Sequence, residues 1–183
     1  YAGGANVSAG TLQMTTANTI TGPAIVANNA VLAVSQIGSG TLALGNLTFN
    51  GAAAGLGATI ALTPTTANNP AVAVINCGTL TLNGTNTISL AAVNVGTLAV
   101  IKYTGALAGS GNITNLSLPQ GATGFVSNDV PSSTLYVVVT STGPGRGGTG
   151  TNAAALKTWN INATTNWLVG GIPTSYHQII TPG

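Results

Sequence analysis

Charge is nearly absent from this sequence. Of its 183 residues, Lys and Arg together number three and Asp and Glu together one: Lys102, Arg146, Lys157 and Asp129. A soluble domain ordinarily draws about a quarter of its residues from these four types. Nucleic-acid binding takes its affinity from several cationic contacts to phosphate, so three scattered basic residues exclude nucleic acid as a partner. The pI near 9.0 records three positive charges against one negative, not a basic patch.

Carboxylates, histidine and cysteine are just as scarce. Acid-base or glycosidic chemistry needs a pair of titratable groups, and Asp129 is the one side-chain carboxylate. It stands in Ser127-Asn128-Asp129-Val130-Pro131, a turn-like setting. His177 is the one histidine, and no Gly-X-Ser-X-Gly pattern nominates a nucleophile to join it. These residue types predict no catalytic set, no metal site and no cofactor. Cys77 stands alone in an apolar alternating run, which excludes an internal disulfide and reads as a small buried hydrophobe.

Long apolar runs are missing too. The aliphatic stretch Val137–Val139 is far below the ~20 residues of a membrane helix, so no bilayer span is expected. No basic-then-apolar leader follows Tyr1, which predicts a processed chain or a segment of a longer one. Disorder is excluded by a hydrophobic content of 44%. The chain should fold.

What the sequence does have is alternation. Thr11–Met14, Ala30–Val34, Thr41–Leu44, Ala58–Leu62, Thr79–Leu82 and Thr97–Val100 place an aliphatic at every second position, as short strands with one face inward do. Turn clusters such as Ala27-Asn28-Asn29, Gly38-Ser39-Gly40, Asn50-Gly51 and Asn68-Asn69-Pro70 separate them. With 26 Gly and no Glu, helix signals are poor. The phrase Gly-Thr-Leu recurs at Gly10, Gly40, Gly78 and Gly96, with a looser copy at Ser133–Val137. Strand intervals near 20 residues are the mark of a solenoid, whose units bury their apolar faces by stacking on one another.

The expectation is therefore an all-β chain: a β-solenoid over residues 1–142, with Leu, Val, Ile and Ala inward, Thr, Asn and Ser outward, and Gly where the wall bends. Roughly seven turns of about 4.8 Å each would make a body about 34 Å long. A Gly-rich linker follows at 143–150, and a C-terminal arm at 151–183 holds both tryptophans. The rival architecture is a β-sandwich, pilin-like subunit completed by donor-strand exchange, with Tyr1–Met14 or the arm as donor.

Gly78-Thr-Leu-Thr-Leu-Asn-Gly-Thr-Asn-Thr-Ile88, followed by Val93-Asn-Val-Gly-Thr-Leu98, resembles the autotransporter-associated β-strand repeat of bacterial surface proteins. Asn6–Leu12 with Ala17–Gly22 is a weaker copy, Gly96–Thr140 resembles the section that closes such repeats, and Trp159–Pro173 resembles the opening of another cassette. The resemblance covers about two-thirds of the chain and implies a right-handed parallel β-helix exported to the cell surface. It brings no catalytic residues. Nothing in the sequence resembles the membrane β-barrel that translocates such proteins.

The expected function is that of a non-enzymatic structural subunit of an extracellular filament or surface layer. The chain would bind copies of itself, β-helical bodies stacking head to tail while the arm docks on a neighbour. Trp159, Trp167, Tyr176, His177 and Tyr1 are the candidate assembly residues, since a short arm must bury its aromatics against something. The alternatives are a surface adhesin or carbohydrate-binding β-helix, for which cell-surface glycans would be the partner, and a donor-strand-exchanged pilus subunit. Six Asn-X-Ser/Thr sequons occur, no enrichment over the about four that this composition yields by chance.

Overall fold

Alternating Thr-Leu segments separated by Gly and Asn turns have one way to hide their apolar side and pair their backbones: lateral pairing into sheets. A computed structural model describes residues 3–52 and 57–142, which form sixteen strands and no helix. The first sheet runs β1 (Ala5–Val7), β4 (Ala24–Ala27), β7 (Leu47–Asn50), β10 (Leu80–Asn83) and β13 (Leu107–Ala108). The second runs β2 (Thr11–Thr15), β5 (Val31–Ser35), β8 (Ala58–Thr63), β11 (Thr85–Leu90) and β14 (Asn112–Ser117). The third runs β3 (Thr19–Ile20), β6 (Leu42–Leu44), β9 (Ile75–Cys77), β12 (Gly96–Tyr103), β16 (Thr134–Ser141) and β15 (Thr123–Asp129).

The chain thus visits the three sheets in rotation, and each strand up to β11 pairs in parallel with the strand three places later. Two pairings, β12 with β16 and β15 with β16, are antiparallel. Ser133–Val137, expected as one more copy of the repeat, belongs to this hairpin instead. The signal for it was present in Asp129–Ser133, a short polar turn between two period-2 segments.

Register stacks like on like. In the second sheet Leu12, Leu32 and Ile60 lie on successive strands, and so do Met14, Val34 and Leu62. In the third, Ile75 pairs with Leu42 and Ile101. These rows meet in one hydrophobic core with Phe49 fully enclosed. Between circuits, Asn83 Nδ2 donates to Asn50 Oδ1 at 2.8 Å and Thr79 N–H to Asn46 Oδ1 at 2.9 Å.

Glycine builds two corners. Between the third and first sheets Gly22, Gly45 and Gly78 stack on consecutive circuits, and a Cβ on Gly45 would lie 2.6 Å from Gly22 O. Between the first and second sheets an added Cβ on Gly84 would collide with Gly51 O, and one on Gly111 with the Gly84 backbone. The corner between the second and third sheets uses side chains. There Thr16 Oγ1 accepts from Ile37 N–H at 2.8 Å, and buried Gln36 bonds Gly40 O at 3.0 Å and Thr65 N–H at 3.2 Å.

Each sheet holds five parallel-running positions apart from the interposed β16, not the roughly seven expected from an even period. The circuits differ in length: 19 residues separate Ala5 from its partner Ala24, 33 separate Leu47 from Leu80, and 27 separate Leu80 from Leu107. Extra residues enter as corner loops and leave the strands in register. The Gly-Thr-Leu phrase opens β2, β6, β10 and β12, which fall in all three sheets, so it marks strand starts and not one position of a repeat. The expected linker at 143–150 and arm at 151–183 lie outside the described residues.

Candidate assembly surfaces

One end of the described strands is formed by the first circuit. β1, β2 and β3 are the outermost strands of their three sheets. Val31 N–H donates to Gly10 O and Thr16 N–H to Ser35 O, so the even-numbered residues of this stretch bond to β5. By the alternation of a strand, Thr11, Gln13 and Thr15 direct their backbone groups outward. Thr15 N–H is taken by Asn18 Oδ1 at 2.8 Å, which leaves Gln13 at the centre of the open edge.

Inside that edge lies an open depression of about 870 Å³, whose walls include Val7, Leu12, Met14 and Ile20. Leu12 and Met14 face the core, yet they are only partly buried, as β2 is the outermost described strand of its sheet. No Lys, Arg, Asp or Glu occurs before Lys102, so the edge lacks the charged residues that ordinarily blunt exposed strands.

The opposite end is built differently. β13, β14 and β15 are its outermost strands, and two antiparallel steps through β16 return β15 to the direction of β12. The interposed strand puts β15 about 4.8 Å further out than a regular circuit would, so this end is stepped where the first is even. Ser132 Oγ donates to Asp129 Oδ2 at 2.5 Å and fixes the hairpin turn. Tyr103 OH donates to Asn128 Oδ1 at 3.0 Å, tying β15 to β12. The chain's one carboxylate therefore serves a turn, as its sequence setting predicts. Phe125 and Val130 of the same hairpin are exposed.

Lys102 and Asp129, the charged side chains among the described residues, both sit opposite Thr134, one on each side of β16. Cys77 is buried and its thiol is pushed up from 9.0 to about 12 by desolvation. Among the described residues no three His, Cys, Asp or Glu cluster, and no helix is long and apolar enough to cross a membrane.

The residues nominated from sequence, Tyr1, Trp159, Trp167, Tyr176 and His177, all lie outside the described residues. The sequence reading expected contacts through strand edges that lack gatekeeper charges, and the strand order names β1, β2 and β3 as the outermost described strands on one side. Comparisons with protein-family models, curated proteins and solved structures found no match to this chain.

Proposed function

We propose that this chain is a non-enzymatic structural subunit of an extracellular filament or surface layer. Its body would be a three-sided parallel β-solenoid that associates with copies of itself through the strand edges at its ends, while arm 151–183 docks on a neighbour. The observation that carries this reading is the parallel pairing of each strand up to β11 with the strand three places later, which leaves outermost described strands on both sides of three sheets. The uncharged first circuit supports it, because nothing there opposes strand addition. The setting outside the cell rests on the resemblance to surface repeat proteins alone.

Head-to-tail stacking needs β13, β14 and β15 to meet β1, β2 and β3 of the next copy. Strand direction suits this; the one-strand step made by β16 does not, and the arm is the part of the chain assigned to bridge it. Electron microscopy of the native material should show fibres or a lattice. Dispersed single particles at high concentration would overturn the reading, as would unchanged polymer yield after removal of residues 151–183 for the arm's part in it.

A further inference from the structure

The dipeptide Asn-Gly occurs twice in the chain, at Asn50-Gly51 and Asn83-Gly84, and the fold stacks the two on consecutive circuits at one corner. Asn50 and Asn83 pair as the last residues of β7 and β10, and Asn83 Nδ2 donates to Asn50 Oδ1 at 2.8 Å. From this juxtaposition we infer that the corner modifies itself: Asn50 converts to aspartate and isoaspartate by attack of its own main chain, with Asn83 as the activating donor.

The stacking makes the labile dipeptide obligatory. A Cβ on Gly51 would collide with Thr85 O, and one on Gly84 with Gly51 O, so each Asn must be followed by Gly. Glycine also leaves the backbone nitrogen after Asn unhindered on its way to the side-chain amide. On the far side of Gly51 the chain is held, since Ala52 N–H donates to Asn28 Oδ1 at 3.1 Å.

The step is an acyl transfer. Gly51 N gives its proton to water or hydroxide and bonds to Asn50 Cγ, and negative charge gathers on Oδ1. The Cγ–Nδ2 bond then breaks, Nδ2 takes up a proton and leaves as ammonia, and a cyclic imide remains. Water opens the imide at Cγ to give aspartate, or at the main-chain carbonyl to give isoaspartate. Nothing is oxidised or reduced, and water is the one co-reactant. The bond between the two side chains decides which Asn reacts. At Asn50 it places a donor on the oxygen where charge develops, while the atom that leaves is the other one. At Asn83 the bonded atom is the one that must leave.

The products differ in what they do to the wall. Either one lowers the net charge of +2 by one and puts a carboxylate in the stretch before Lys102, where neither Asp nor Glu occurs. Aspartate keeps the bond from Asn83 and makes it charge-assisted. Isoaspartate adds an atom to the main chain between β7 and the corner, which moves Gly51 from its place against Gly84 and loosens the register.

The test incubates the full native chain at pH 8, folded and in denaturant, and follows both sites by peptide mapping and mass spectrometry. In the folded chain Asn50 should convert about tenfold faster than Asn83. In denaturant the two should convert at about the same rate, because each precedes Gly and the bond between them is gone. Isoelectric focusing should show the acidic species growing in step with conversion at Asn50. Asn83→Ala removes the donor and should slow Asn50 about tenfold, whereas a bond that only restrained the side chain would speed the reaction when removed. Equal rates in the folded chain, conversion at Asn83 first, or a faster Asn50 in the variant would overturn the assignment. So would a folded chain in which neither site converts while the denatured chain reacts.

Discussion

Among the described residues Asn86 is the polar side chain most deeply placed in the core, 1% exposed. Its Nδ2 donates to Asn83 O at 3.3 Å, Gly84 O at 3.4 Å and Asn112 O at 3.2 Å, while Oδ1 has no partner. Three carbonyls at one donor define a site that tolerates no negative charge. Asn86→Ala should cost about 1–3 kcal/mol by leaving those carbonyls without their donor. Asn86→Asp should cost more at pH 7, since burial beside carbonyls raises the pKa of the new acid. Below that raised pKa the protonated acid regains a donor, so chemical denaturation should find the two variants closer at pH 4 than at pH 7. Cys77 gives a second check at this scale. Its folded pKa is raised from 9.0 to about 12, so its contribution to stability is complete below pH 9 and is lost as pH rises through 12. Alkylation at pH 8, followed by mass spectrometry, should leave the native chain unmodified and add one group after denaturation. The sequence placed Cys77 correctly because an apolar alternating run is local information. Asn86 shares the inward phase of Ile88 and Leu90, but its polar type pointed outward, and the carbonyls that make its burial tolerable come from the adjoining turn and the next circuit.

At the scale of elements, strands were legible and corners were not. Each alternating segment from Thr11–Met14 to Thr97–Val100 overlaps a strand, since period 2 is imposed by one buried face. What distinguishes one sheet from the next is the bend between strands, and that depends on how closely backbones stack. Gly22, Gly45 and Gly78 bond in series, Gly45 N–H to Gly22 O at 3.2 Å and Gly78 N–H to Gly45 O, which leaves no room for a side chain. In sequence these are three glycines among 26, indistinguishable from Gly10 or Gly38, which have open space around their Cα atoms. Gly45→Ala should therefore destabilise by about 1–3 kcal/mol through overpacking against backbone. Its added methyl has nowhere to go, whereas Gly10→Ala meets no neighbour and carries only the cost of its positive φ of 70°. Thermal unfolding of both variants measures the difference, and equal losses would remove the stacked-glycine account of the corner. The closing hairpin escaped the repeat pattern for a related reason. Ser133–Val137 by itself reads like any other strand, and what sets it apart is the turn Asp129–Ser133 before it and its antiparallel pairing.

At the scale of the whole molecule, the scarcity of charge governs how the ends behave. Among the described residues Lys102 and Asp129 are the formally charged side chains, and they share one row beside the hairpin at the stepped end. The first circuit has none, so contact there draws on apolar burial and backbone pairing, neither of which ordinary salt screens. Sulfate acts otherwise, because it is excluded from protein surface and strengthens effective burial. Sodium chloride between low and physiological concentration should therefore leave the sedimentation profile unchanged, while sodium sulfate at equal ionic strength should shift it toward larger species. A profile that collapsed with sodium chloride would assign the contact to charges, and the candidates would then be Lys102 and Asp129 at the stepped end, together with Arg146, Lys157 and His177.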